Sequence, residues 1–113
     1  MKKIYEINLE DGWSDIDAAL RILEYQFASA LVIGERVVKL IHGYGAVGRG
    51  LGRLRTEARR WAKNDSRVGF IVKGEEFTVN NPKARYLVEM FPEVANDIDL
   101  ENGNEGITLL FIK

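Results

Sequence analysis

The sequence predicts a two-layer α/β sandwich with a mixed, partly parallel sheet. Two observations carry that prediction. Strand-like and helix-like apolar periods alternate along the chain. One run, Val37–Ile41, is apolar except for Lys39, as expected of a central strand covered on both faces. The 113 residues suit one domain spanning 1–113, with no repeat, linker or low-complexity segment.

Taken in order, residues 3–9 alternate, with Tyr5, Ile7 and Leu9 on one face, and read as a strand. Asp11-Gly12 marks a turn, and Ser14 is a good N-cap, with Asp15 and Asp17 suited to a first helical turn. Ile16, Leu20, Leu23, Phe27 and Ala30 then recur at helical spacing, so a helix should run to about Val32 and end at Gly34. After the central strand and a glycine-rich turn, a second helix is expected over residues 50–63. Leu51, Leu54, Ala58, Trp61 and Ala62 form its apolar arc. Trp61 is expected in the core, and Trp13 reads as a packing staple. Residues 68–72 read as a third strand, and a turn at 73–76 should fold 77–79 back as a hairpin. Asn81-Pro82 is an N-cap followed by proline at the first helical position, so a short helix is expected over Pro82–Met90. Residues 93–106 are acidic and turn-rich, and Ile107–Ile112 is the last strand.

Composition bounds the function. The chain has no cysteine, which excludes disulfides and thiolate zinc sites, and a single histidine cannot build a histidine-rich metal site. No run approaches the ~20 apolar residues of a membrane helix. Glu6, Asn8, Glu10 and Asp11 interrupt any leader-like apolar segment. A cytoplasmic protein with no membrane partner is expected. The net charge of −1 hides an asymmetry. Residues 49–63 carry Arg49, Arg53, Arg55, Arg59, Arg60 and Lys63 against Glu57 alone, whereas 89–105 carry six acids and no base. The basic run is a local patch that overall charge would not reveal.

The most informative segment is residues 37–63. An apolar strand ends in His42, and Gly43, Gly45, Gly48, Gly50 and Gly52 follow, then an arginine-laden helix. Glycines let backbone approach a ligand closely, and the helix start and the guanidinium groups supply donors and positive charge. That combination describes an anion site, best suited to a phosphate backbone. Gly43-x-Gly45-x-x-Gly48 also matches the dinucleotide fingerprint. It lies mid-chain, however, and no acidic residue follows at the end of the next strand. The Gly-Lys-Ser/Thr of a P-loop is missing as well. A purely structural tight turn is the competing reading.

These residues resemble the Smr (small MutS-related) domain family. His42-Gly43-Tyr44-Gly45 is similar to its His/Thr-Gly-x-Gly turn, and Leu54-Arg55 to the Leu-Arg near the start of its second helix. Gly103-Asn104-Glu105-Gly106-Ile107-Thr108, leading into residues 109–112, is similar to its C-terminal glycine motif. The resemblance covers the whole chain, with 74–102 as an enlarged connection. It implies a fold like the C-terminal domain of translation initiation factor three, nucleic-acid binding and, in some members, endonuclease activity. Nuclease-type members carry Leu-Asp-Leu-His-Gly in the first strand. Here Asn8 stands at the acidic position and Glu10 at the histidine.

The expected function is therefore binding of DNA or RNA, without a required cofactor. The expected binding residues are His42, Gly43, Tyr44, Gly45, Arg49, Arg53, Arg60 and Lys63. His42 is expected to donate to phosphate or shuttle a proton, or else to be a buried, hydrogen-bonded histidine. Tyr44 is expected at the turn tip, where it could stack on an unpaired base. Two alternatives remain. One is a Mg²⁺-dependent endonuclease using His42 with Glu10 or Asp11, Asn8 helping to hold the ion. The other is a protein-interaction module whose partner contacts the acidic segment 89–105. Within that segment the alternating Asp97, Asp99 and Glu101 read as a solvated loop or a Ca²⁺ site.

Overall fold

The computed structural model describes residues 2–10, 15–44 and 53–113. Four strands, β1 (Tyr5–Asn8), β2 (Val37–Ile41), β3 (Val68–Lys73) and β4 (Ile107–Ile112), form one sheet in the order β1-β2-β4-β3. β1 and β2 are parallel, and β4 runs antiparallel to both β2 and β3. The sheet is thus mixed and partly parallel, as expected. The parallel pair needs a crossover, which α1 (Ile16–Val32) supplies.

Asp15 caps α1, its carboxylate accepting the Ala18 N–H at 2.7 Å. The cap therefore falls one residue beyond the expected Ser14, which lies outside the described residues. Ala19, Leu23, Phe27 and Ala30 form the buried stripe of α1. Gly34 ends it with φ +85°, its N–H returning to the Leu31 carbonyl.

The second helix, α2 (Leu54–Asn64), buries Leu54, Ala58 and Ala62 against the same sheet face. Trp61 is half-buried there and meets Phe27 edge-on, with ring centroids 5.3 Å apart. On the sheet, Val38, Leu40, Leu110 and Ile112 point into this cluster. That helical layer is the expected α/β packing on this face, and cover of the opposite face adds a third layer to the two expected.

The enlarged connection, residues 74–106, covers the other face. It contains α3 (Pro82–Met90) and α4 (Pro92–Ala95). Phe77, Ala84, Leu87 and Val94 pack there on Val37, Val72 and Leu109. Asn81 caps α3 through the Lys83 and Ala84 N–H groups, with Pro82 at the first helical position, as expected.

The expected hairpin at 77–79 does not form. Residues Gly74–Glu76 make a 3₁₀ turn, Phe77 plunges into the second core, and its carbonyl accepts the Glu101 N–H at 2.9 Å. The Phe77/Val79 alternation mimics a strand, but burial of Phe77 directs the chain away from the sheet edge. Backbone approach is tight here: a Cβ on Gly74 would stand 1.7 Å from the Asn104 carbonyl oxygen.

Candidate functional site

β2 delivers His42 to its C-terminal end, beside the end of β1 and the start of β4. The N–H groups of His42 and Gly43 both donate to the Gly106 carbonyl at 3.0 Å, fastening the glycine turn to the C-terminal motif. Gly43 has φ +76°, which favours glycine. A Cβ there would also stand 2.7 Å from a carboxylate oxygen of Glu10. The structure thus brings the Glu10 side chain beside Gly43. Asn8 accepts the Glu10 N–H at 2.9 Å, closing a local turn. Among the described residues no group of three or more His, Cys, Asp or Glu is placed to hold a metal ion. Asp11, Gly45 and Arg49 lie outside the described residues.

His42 is only 3% exposed. Its Nδ1 lies 2.8 Å from the Gly43 carbonyl, an acceptor only, so Nδ1 carries the proton. The lone pair of Nε2 then accepts the Thr108 hydroxyl proton at 2.8 Å. The Thr108 oxygen in turn accepts from Arg59 Nε at 2.8 Å. Burial, aided by the nearby positive charges of Arg59 and Arg55, lowers the His42 pKa from 6.5 to about 4 despite the Gly43 hydrogen bond. His42 is therefore neutral at physiological pH with both nitrogens engaged. Its ring cannot donate to phosphate while this relay is intact, which corrects the direct-contact expectation in favour of the buried, hydrogen-bonded histidine. Its effect on the turn is geometric. The Gly43 carbonyl points inward to the ring, so the planar trans peptide aims the Tyr44 N–H the opposite way.

Arg59 anchors the other end of the relay and is itself buried. Its guanidinium grips Glu75 through both terminal nitrogens, at 2.9 and 3.2 Å, and also reaches the Ile107 carbonyl at 3.2 Å. Burial would raise the Glu75 pKa, but these hydrogen bonds outweigh it and hold the carboxyl below its ordinary value.

Arg59 forms the floor of an open cleft of about 550 Å³ between α2 and the end of β3. Arg55, Arg60 and Lys63 line it from α2, and Lys73 from β3. Two acids, Glu75 and Glu105, complete its charged lining. Glu75 is committed to Arg59, and Glu105 pairs with Arg55 at 3.1 Å. Arg60 pairs with Glu57 at 2.8 Å while remaining exposed. Lys63 is exposed too. Five cations thus meet two carboxylates.

Arg60 and Lys63 stand where the sequence put them, but Arg53 does not. It lines a separate depression with Asp15, Asp17 and Glu57, beside the acidic start of α1. Seven residues before Arg60 restores the angular position but moves ~10 Å along the axis. Helical phase alone therefore misplaced it. Sequence reasoning also missed Lys73, which reaches the cleft only through the tertiary approach of β3 to α2.

Tyr44 is 65% exposed, as expected, and the rest of the turn lies outside the described residues. A Cβ on Gly106 would stand 3.3 Å from its ring, so the ring adjoins the residue after cleft-lining Glu105. Its hydroxyl donates to Asn104 Oδ1 at 2.9 Å. Asn104 Nδ2 donates to Asp99 at 2.9 Å, and Asp99 accepts from Lys39 Nζ at 2.8 Å.

Lys39, 1% exposed, also binds both oxygens of Asp97 at 2.7 and 2.8 Å. Burial would lower its pKa, yet these carboxylates raise it, so the ammonium stays charged. The polar exception in the central strand is thus an anchor for residues 97–104. Asp97 and Asp99 are neither a solvated loop nor a Ca²⁺ cage. Glu101, at φ +69°, accepts the Val79 N–H at 2.8 Å. Most acids of 89–105 are engaged within the chain, Glu93 with Lys2 and Glu105 with Arg55 included. Pairing within the chain thus offsets part of the negative charge expected to serve a protein partner.

The crystal structure of the Smr domain of Thermus thermophilus MutS2 aligns with 97% of this chain and 99% of its own, with a TM-score of 0.60 and 18% identity. The fold is that of an Smr domain. No family model and no curated protein matches the sequence. The fold likeness agrees with the resemblance read from His42-Gly43-Tyr44-Gly45 and the C-terminal glycine motif. No helix among the described residues is long and apolar enough to cross a membrane.

Proposed function

We propose that this Smr-type chain binds nucleic acid through the cleft between α2 and β3. One observation carries the reading. Arg55, Arg60, Lys63 and Lys73, drawn from two elements, converge on an open cleft beside the glycine turn in a chain whose net charge is −1. Such local convergence sets the field a phosphate experiences. Arg60, Lys63 and Lys73 contact phosphates, and Arg55 exchanges Glu105 for one. The Tyr44 N–H, turned away from His42 by the planar Gly43–Tyr44 peptide, is offered beside the rim of the cleft, with that peptide held in orientation by the His42–Thr108–Arg59 relay. These contacts touch no base edge, so binding has little sequence preference. Gly45 and Arg49 adjoin this rim in sequence and extend the same proposal.

The test is fluorescence anisotropy with labelled DNA and RNA across a salt series. Four phosphate contacts on duplex DNA give a log–log salt slope of about −3.6. Charge reversal at Lys63 and Lys73 should weaken binding to all sequences alike and flatten the slope toward about −1.8. Unchanged affinity in that double variant would place the site elsewhere.

Metal-dependent cleavage has one observation in its favour, the Glu10 carboxylate beside Gly43. The same site gives His42 no free nitrogen for acid–base work. Binding without efficient cleavage is the reading we adopt. Mg²⁺-dependent nicking that is lost in Glu10→Ala, with the fold intact, would overturn that choice.

A further inference from the structure

We infer that the site selects an unpaired nucleic-acid strand, with Tyr44 as a braced stacking platform at the rim of the cationic cleft. This rests on the nucleic-acid reading above and adds the strandedness of the ligand.

The first argument is the cleft. The cleft is concave, with Arg60 and Lys63 on α2 and Lys73 on β3 both lining it. Its volume of about 550 Å³ is that of a small-molecule site. A single sugar–phosphate strand can enter and meet cations from both elements. The exposed Arg60 and Lys63 are open to a paired strand as well, so the cleft supplies phosphate contacts and leaves the choice of strand to the ring.

The second argument is the ring. Tyr44 is 65% exposed and adjoins the cleft through Gly106 and Glu105. An exposed tyrosine on a loop ordinarily loses rotamer freedom when it binds. Here the phenol is already tethered, through Asn104 and Asp99, to an ammonium buried in the sheet. The chain Tyr44–Asn104–Asp99–Lys39 spans the turn, the enlarged connection and the central strand. It spares much of the ordering cost that a free side chain would incur on binding. A pre-positioned aromatic face is a sequence-tolerant partner for any base, but only for a base that is not already stacked inside a duplex. The cleft therefore supplies the phosphate contacts, and the platform makes the selection.

The experiment is an anisotropy titration of the full chain with four probes carrying equal numbers of phosphates. They are a short oligothymidine, the matching oligouridine, a duplex, and an oligodeoxynucleotide whose bases are replaced by abasic sites. The expected result is about tenfold tighter binding of oligothymidine or oligouridine than of duplex or abasic strand. Tyr44→Ala should remove that preference while leaving the affinity for duplex unchanged. Tyr44→Phe keeps the ring and breaks only the tether, so it should fall between the two. One decade corresponds to about 1.4 kcal/mol, within the range for base–aromatic stacking. The two thymine and uracil probes show whether the DNA or the RNA strand is preferred.

Equal affinity for duplex and single strand would overturn the inference while sparing the binding proposal. So would an unchanged preference in Tyr44→Ala. Binding of no probe, or binding indifferent to charge reversal at Lys63 and Lys73, would instead refute the underlying proposal. Tyr44 is exposed, so its variants should fold, and thermal melts of each verify this.

Discussion

Replacing Thr108 with valine is the sharpest test of the buried relay. The two side chains have similar size, so little packing is lost. The hydroxyl, however, donates to His42 Nε2 and accepts from Arg59 Nε, both at 2.8 Å, at a position with 0% exposure. Its removal strands one buried acceptor and one buried donor. Each such group costs about 1–3 kcal/mol. Arg59 keeps its other partners and relaxes in part, so a total of about 3 kcal/mol is expected. That is a large part of the ~5–15 kcal/mol of a typical domain and corresponds to a fall in Tm of roughly 10–20 °C. Thr108→Ser keeps the hydroxyl and loses one methyl, and should cost about 1 kcal/mol. Urea denaturation of the three proteins near neutral pH measures the difference directly. If the valine variant proves as stable as the serine variant, the relay contributes nothing and the argument is wrong.

Other consequences follow from the same geometry. His42 takes a proton near pH 6.5 when unfolded but only near about 4 when folded. The unfolded state therefore binds more protons between those values, and stability should fall by about 3 kcal/mol as the pH drops through that window. Urea melts should show this slope in the wild type and lack it in His42→Asn. Lys39→Met would leave Asp97 and Asp99 facing each other without their cation, and should cost about 3–5 kcal/mol by thermal or urea unfolding. Gly74→Ala should cost about 3 kcal/mol or more, because its Cβ would meet the Asn104 backbone at 1.7 Å. Gly43→Ala should cost less, about 1–2 kcal/mol, because the atom it meets belongs to the flexible, exposed Glu10 side chain. Parallel unfolding curves give the order of the two.

Much of the fold was legible because it rests on local chemistry. Asn81-Pro82 specifies a helix start by capping and fixed φ, and that helix begins where expected. The apolar run of β2 indicated cover on both faces, and both faces are covered. What escaped the sequence was tertiary. Phe77 and Val79 alternate like a strand, and only the second core shows why Phe77 turns inward. Lys39 stood out as an exception in an apolar run, but its carboxylate partners lie 58 and 60 residues away. The site divides similarly. The motif beginning at His42 and Gly43 marked the start of the turn, where Gly43 takes a positive φ. The role of His42 could not be read from its position alone, because burial and the Thr108 and Arg59 contacts determine it. Arg53 and Lys73 exchanged places for the same reason: helical phase describes one element, whereas a cleft is made by two.

The central claim is that nucleic acid occupies the cleft between α2 and β3. The most direct measurement is an NMR titration of isotopically labelled chain with a short oligothymidine, following backbone amides. The account predicts that shifts concentrate at Tyr44, Arg60, Lys63, Lys73 and Glu105. Arg53 and the amides of α3 should stay still. Shifts centred on the α3 side of the sheet, or spread evenly over the surface with none at Lys63 and Lys73, would contradict it.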